Sequence, residues 1–133
     1  MSSKDQTQLA QQACIQNIGN LLAQHAFDYS SEKQLQDGIE QVLAQHNVTY
    51  QREARLSSKD IVDFVLDAEG GQIAMEIKID GNRNALLRQI GRYLQHDTVA
   101  CVFVVGTPYW ILNLPQTLSG KQIYCHRILS GMF

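Results

Sequence analysis

Residues 61–66 read Ile-Val-Asp-Phe-Val-Leu, an apolar run interrupted only by Asp63. So short a run, rich in β-branched and aromatic residues, predicts a buried strand. A carboxylate removed from water inside it is costly unless it is paired or holds a cation. The next run, Gln72 to Ile79, alternates strictly. Ile73, Met75, Ile77 and Ile79 take one face, and Ala74, Glu76, Lys78 and then Asp80 take the other. Gly70-Gly71 between the two runs marks a tight turn. The pair therefore reads as a hairpin that carries Glu76 back toward Asp63, with Lys78 on the face of Glu76. Two carboxylates and an ammonium on one patch suit a hard cation such as Mg²⁺ or Mn²⁺, with oxygen ligands and a charge to hold or polarise a water.

Around this hairpin the periodicity predicts further elements. Residues 4–26 form a helix with Leu9, Ala13, Ile18, Leu21, Leu22 and His25 along one side and mostly Gln and Asn on the other. A second helix starts near Ser31, capped by that residue with Gln34 three positions on, and runs to Asn47. Its apolar stripe is Leu35, Ile39, Val42 and Leu43. Val48 to Leu56 reads as a strand. A third helix is expected from an Asn84 N-cap to Gln95, with Leu86, Leu87, Ile90, Tyr93 and Leu94 inward. Thr98 to Val105 reads as a buried strand, and Tyr109–Leu114 and Gln122–Ile128 as two more. The order, two helices, three strands, a helix and three strands, gives an α/β (α+β) fold with one mixed central sheet flanked by helices. At 133 residues it is one domain.

Eleven Lys and Arg against thirteen Asp and Glu give a net charge of −2, which excludes a generic histone-like neutraliser of DNA. A local basic face is still present, because residues 81–96 hold Arg83, Arg88 and Arg92 and no acid. Cys14, Cys101 and Cys125 are widely spaced and make no zinc knuckle. Thiols set in apolar surroundings suit a reducing cytoplasm. No signal-peptide-like stretch opens the chain, and Val99–Val105, the longest apolar run, is too short to span a bilayer. The expected setting is cytoplasmic, with no membrane partner. His25 and His46 read as core or rim residues, and His96 and His126 show no ligand spacing. Tyr109 and Trp110 read as core or interface aromatics, with base stacking as the lesser reading.

Asp63 followed on the next strand by Glu76-Ile77-Lys78 resembles the PD-(D/E)XK nuclease superfamily. Gln89-Ile90-Gly91-Arg92-Tyr93 is similar to the Gln-x-x-x-Tyr motif of its RecB-type and lambda-exonuclease-type branches. The resemblance implies a restriction-endonuclease-like core, αβββαβ, over residues 30–105. Residues 1–29 are then an extra N-terminal helix and 106–133 C-terminal strands. Val62 stands where the family name has Pro. The family also uses a Glu on the first core helix. At about 100° per residue, Glu32 falls inside the apolar stripe and Glu40 on its flank, so Glu32 is preferred.

What the resemblance implies is a Mg²⁺- or Mn²⁺-dependent deoxyribonuclease, a phosphodiester hydrolase. Asp63, Glu76 and the Ile77 carbonyl would bind the metal, with Glu32 holding a second metal or its water. Lys78 would position the attacking water, and Gln89 and Tyr93 would orient groups beside the carboxylates. Arg52, Arg55, Lys59, Arg83, Arg88 and Arg92 are the available phosphate contacts. DNA is the expected partner. So short a chain would act on DNA structure in the manner of a Holliday resolvase, as a homodimer, or as a module of a larger complex. The alternative is a catalytically inactive nuclease fold serving nucleic-acid binding or assembly.

Overall fold

The computed structural model describes residues 2–129. Residue 1 and residues 130–133, the ends of the expected domain, lie outside them. The chain runs α1 (Ser3–Ala23), α2 (Glu32–Gln45), β1 (Tyr50–Arg55), β2 (Ile61–Ala68), β3 (Gly71–Lys78), α3 (Arg83–Leu94), β4 (Val99–Gly106), a 3₁₀ helix (Tyr109–Asn113), β5 (Thr117–Leu118) and β6 (Lys121–Arg127). The fold is α+β, with one six-stranded mixed sheet in the order β1-β2-β3-β4-β6-β5. β1, β2 and β3 are antiparallel neighbours, β4 runs parallel to β3 and to β6, and β5 closes the edge antiparallel to β6.

Each face of the sheet has its own core. On one, Ile15, Ile18 and Leu22 of α1 and Leu35, Ile39, Val42 and Leu43 of α2 pack with Phe64, Ile73, Met75, Ile77 and Phe103. On the other, Leu86, Ile90, Tyr93 and Leu94 of α3 pack with Val62, Ala74, Val102, Val104 and Ile123. The alternation of β3 is realised. Ile73, Met75 and Ile77 belong to the first core, and Ala74, with Glu76 and Lys78 beyond it in phase, faces α3.

The start of α2 is as expected: the Ser31 hydroxyl accepts from the Gln34 N–H at 3.1 Å. At α3 the cap is Asn82 rather than Asn84. The Asn82 side-chain oxygen accepts from the Asn84 and Ala85 N–H groups at 2.8 and 3.1 Å. Tyr109–Asn113 is a 3₁₀ helix and not a strand. On α1 the covered apolar side is Ile15, Ile18 and Leu22, packed against the chain's own α2 and sheet, while Leu9 and Ala13 of the expected stripe are exposed and Ile15 was not part of it. Cys101 is buried and Cys14 half-buried, but Cys125 is exposed. His46 is exposed and His25 half-buried, their ring centroids 5.9 Å apart. Among the described residues no helix is long and apolar enough to cross a membrane.

Candidate active site

β2 and β3 pair regularly from Ala68–Gly71 to Phe64–Met75, and then the pattern breaks at Asp63. Val62 belongs to the α3-side core and Phe64 to the opposite one, although strand geometry would put both on one face. The neighbouring strand breaks in step. Glu53 has φ +51°, Arg52 lies over the Phe64 ring at 5.9 Å, and Ala54 sits in the α3-side core. Beyond this break the two acids occupy the junction of β2 and β3. Asp63 Oδ2 accepts the Ile77 N–H at 2.7 Å, and the Asp63 N–H faces Glu76 Oε1 at 3.5 Å. Each carboxylate is thus bonded to the backbone of the strand opposite.

Glu76 is only 3% exposed. Lys78 Nζ stands 3.6 Å from Glu76 Oε2. The Tyr93 hydroxyl lies 3.1 Å from Glu76 Oε1 and equally far from the Ile61 carbonyl, and its one proton serves either. Burial and then the Asp63 charge push Glu76 up to about 7, with Lys78 and Tyr93 opposing the shift. Burial also raises Asp63. The Ile77 N–H and Lys78 pull it down, and the Glu32 charge adds to the rise. Burial and the Glu76 carboxylate raise the Tyr93 phenol, so it stays a proton donor. The backbone under Lys78 is fixed by β4, where the Lys78 carbonyl accepts the Thr107 N–H at 3.0 Å. A Cβ at Gly106 would collide with that carbonyl, so glycine permits the close approach.

Lys78 joins this cluster to a cavity of about 350 Å³ whose lining includes neither Asp63 nor Glu76. Its walls include Glu32, Lys78, Asp80, Arg88, Gln89, Arg92 and Trp110. Glu32 therefore stands with Lys78. Glu40 is elsewhere: its carboxylate takes the Tyr50 hydroxyl at 2.9 Å and Arg52 at 2.9 Å. Arg88 and Arg92 of the expected phosphate contacts line the cavity, and the Arg83 guanidinium donates to the Asn113 carbonyl. Arg55 and Lys59 lie outside its lining, with Arg55 bonded to the Ser58 carbonyl. Arg52 as a phosphate contact is corrected. It is largely buried and bonded to Asp37 at 2.7 Å, to Glu40 and to Gln36, so its charge is already satisfied.

Among the described residues no group of three or more His, Cys, Asp or Glu side chains is placed to hold a metal ion. What the fork offers is a pair of carboxylates, Asp63 and Glu76. It fits Mg²⁺, which uses one or two carboxylates and fills its remaining positions with water and substrate phosphate. Asp63 and Glu76 are two such carboxylates, the first half-buried and the second buried, with one close ammonium, Lys78, to offset them.

Two groups near the site escape a reading of the sequence. Asp60 is 7% exposed and bonds Arg92 Nε at 3.0 Å and His96 Nε2 at 3.1 Å. Arg92 and His96, one turn apart at the end of α3, were the available sign of an anion opposite them. Asp80, in the turn after β3, joins the cavity wall. Comparison with known protein families, curated proteins and solved structures returned no match to this chain.

Proposed function

We propose that the chain is a Mg²⁺-dependent deoxyribonuclease with a restriction-endonuclease-like core, similar to the PD-(D/E)XK superfamily. The observation that carries this reading is the fork of β2 and β3. Asp63, half-buried, and Glu76, buried, meet there, Lys78 Nζ stands 3.6 Å from Glu76, and Lys78 also lines the adjoining cavity. Support for the core comes from its order, a helix, three antiparallel strands, a helix and a strand parallel to the third.

When bound, the cation supplies Lewis-acid stabilisation of a phosphoryl oxygen and a more acidic water. Asp63 and Glu76 would hold it. The Ile77 N–H keeps the Asp63 carboxylate turned into the fork, and Tyr93 from α3 does the same for Glu76. Lys78 orients the water and offsets charge building on the phosphate. Gln89 stands in the cavity wall one turn before Tyr93, within reach of the same water or phosphate. Arg88, and Arg92 through the exposed part of a guanidinium whose Nε is bonded to Asp60, meet neighbouring phosphates, positioning the strand without reading its sequence.

The test is a cleavage panel of single-stranded, duplex, flapped and four-way DNA with Mg²⁺ or Mn²⁺, run on the full chain and on Lys78→Ala. Metal-dependent cutting lost in the variant is the expected result. DNA binding without cutting of any substrate would instead favour the inactive binding module.

A further inference from the structure

Beside the cavity the surface turns apolar. Among the described residues five large apolar side chains are exposed, and two of them, Tyr109 at 69% and Leu112 at 58%, belong to the 3₁₀ helix Tyr109–Asn113. Residues three apart eclipse one another in such a helix, so Tyr109 and Leu112 form one ridge. Trp110, next along the helix, lines the cavity and packs from behind against the α3-side core. Ile111 is fully buried and pins the helix down, and the Arg83 guanidinium donates to the Asn113 carbonyl at 3.0 Å. The helix is therefore held in place, with Trp110 at the cavity and the Tyr109–Leu112 ridge on the exposed surface next to it in the chain.

We infer that this 3₁₀ helix is a stacking platform for unpaired bases, and that the site takes single-stranded DNA. One base would lie against Trp110 at the cavity and its neighbour along the Tyr109–Leu112 ridge. The inference rests on the nuclease reading for the chemistry but not for the binding. Aromatic faces set beside a cationic track are the usual means of holding a single strand, because every base offers a π-face and every linkage a phosphate. Here the track is Lys78, Arg88 and Arg92 on a cavity wall that also holds Glu32 and Asp80, with Arg83 between α3 and the platform. Lys78 and Arg92 are paired to Glu76 and Asp60, and Arg88 and the exposed part of Arg92 are the cations that face outward. In a duplex the bases are already stacked on one another, so the platform gains nothing from it unless the strand is opened. The cavity is also at the small end of ligand pockets, a volume that suits one extruded nucleotide.

Trp110 is the only tryptophan, so its emission reports the platform directly. The full chain is titrated in EDTA, where no metal-dependent cleavage occurs, with a short oligothymidylate and with a duplex of equal length. Single-stranded DNA should quench the tryptophan and bind at least about tenfold more tightly than the duplex. Tyr109→Ala should weaken the single strand by about tenfold, the loss of one base–aromatic stack, and leave the duplex affinity and the melting temperature unchanged. An intact single-strand affinity in Tyr109→Ala, or a duplex bound as tightly with equal quenching, would overturn the platform. The two readings fail separately. Quenching without cleavage under Mg²⁺ keeps the platform and removes the nuclease, and cleavage indifferent to Tyr109→Ala does the reverse.

Discussion

Two carboxylate clusters, each with one buried acid, lie against α3, and they are built to opposite effect. Asp60 faces two partners, Arg92 and His96, and their hydrogen bonds hold its carboxyl below the usual range. At the fork, Asp63 and Glu76 share one close ammonium, Lys78, and Glu76 is pushed up to about 7. Burial alone does not mark a functional acid. The mark is burial without compensation, because a surrounding that repels the ionised pair has a use for a cation that a satisfied ion pair lacks. Asp60 ties the loop before β2 to the end of α3, and the fork is left electrostatically unfinished.

The largest difference should be in catalysis. Asp63→Asn and Lys78→Ala should each lower DNA cleavage on the order of a thousandfold, while Asp60→Asn should cost less than about tenfold. Comparable losses in all three, measured on one substrate under Mg²⁺, would erase the distinction between the clusters.

Stability should separate them with opposite signs. In metal-free protein at pH 8, Glu76→Gln should stabilise the fold by roughly 1–3 kcal/mol. It removes a repelled buried charge and keeps an oxygen for the Tyr93 hydroxyl. Asp60→Asn should destabilise by about 1–2 kcal/mol, a value reduced because Arg92 is more than half exposed. Chemical denaturation of the two variants checks both.

The pH windows differ for the same reason. The folded-state value of Glu76 lies above its unfolded value, so the folded chain binds the extra proton between about 4.5 and 7. Metal-free stability should therefore fall across that window, by roughly 2–3 kcal/mol, and level off above it. In Glu76→Gln most of that slope should vanish. Asp60 is shifted down, so its contribution is complete above pH 4 and is lost only as pH falls below its ordinary value of 3.8. A slope between pH 5 and 7 that survives Glu76→Gln would place its origin elsewhere.

Glu32 offers the smallest contrast. Glu32→Gln should weaken Mg²⁺ binding by about tenfold, since it removes a charge across the cavity from Lys78. Glu40→Gln should leave metal binding unchanged, because Glu40 is bonded to Arg52 and Tyr50. Calorimetric titration of the two variants distinguishes them.

Much of the sheet was legible because its signals are local. The Gly70-Gly71 turn, the alternation of β3 and the Ser31–Gln34 cap each need only neighbouring residues. The same locality put Asp63, Glu76 and Lys78 on one patch. What could not be read depends on partners distant in sequence. Asp60 follows Ser57-Ser58-Lys59 and looks like solvated loop, and its partners arrive 32 and 36 residues later. Arg52 looks like a free surface cation until α2 places Asp37 and Glu40 against it. Tyr109–Leu114 is an apolar run between Pro108 and Pro115, and such a run suits a strand or a tight helix equally. The sheet decides it, since β6 already occupies the position beside β4. The break at Asp63 was hidden as well, because apolar residues flank it whichever face each takes.

The nuclease reading stands or falls on whether the fork binds a divalent cation. Thermal unfolding of metal-free protein at pH 8 with rising Mn²⁺ or Mg²⁺ tests it with no assumption about substrate. The wild-type chain should gain about 2.7 kcal/mol when the cation reaches a hundred times its dissociation constant, a shift of several degrees. Asp63→Asn should lose that shift and Asp60→Asn should keep it. An unchanged melting temperature in the wild-type chain, or an equal rise in Asp63→Asn, would contradict the account.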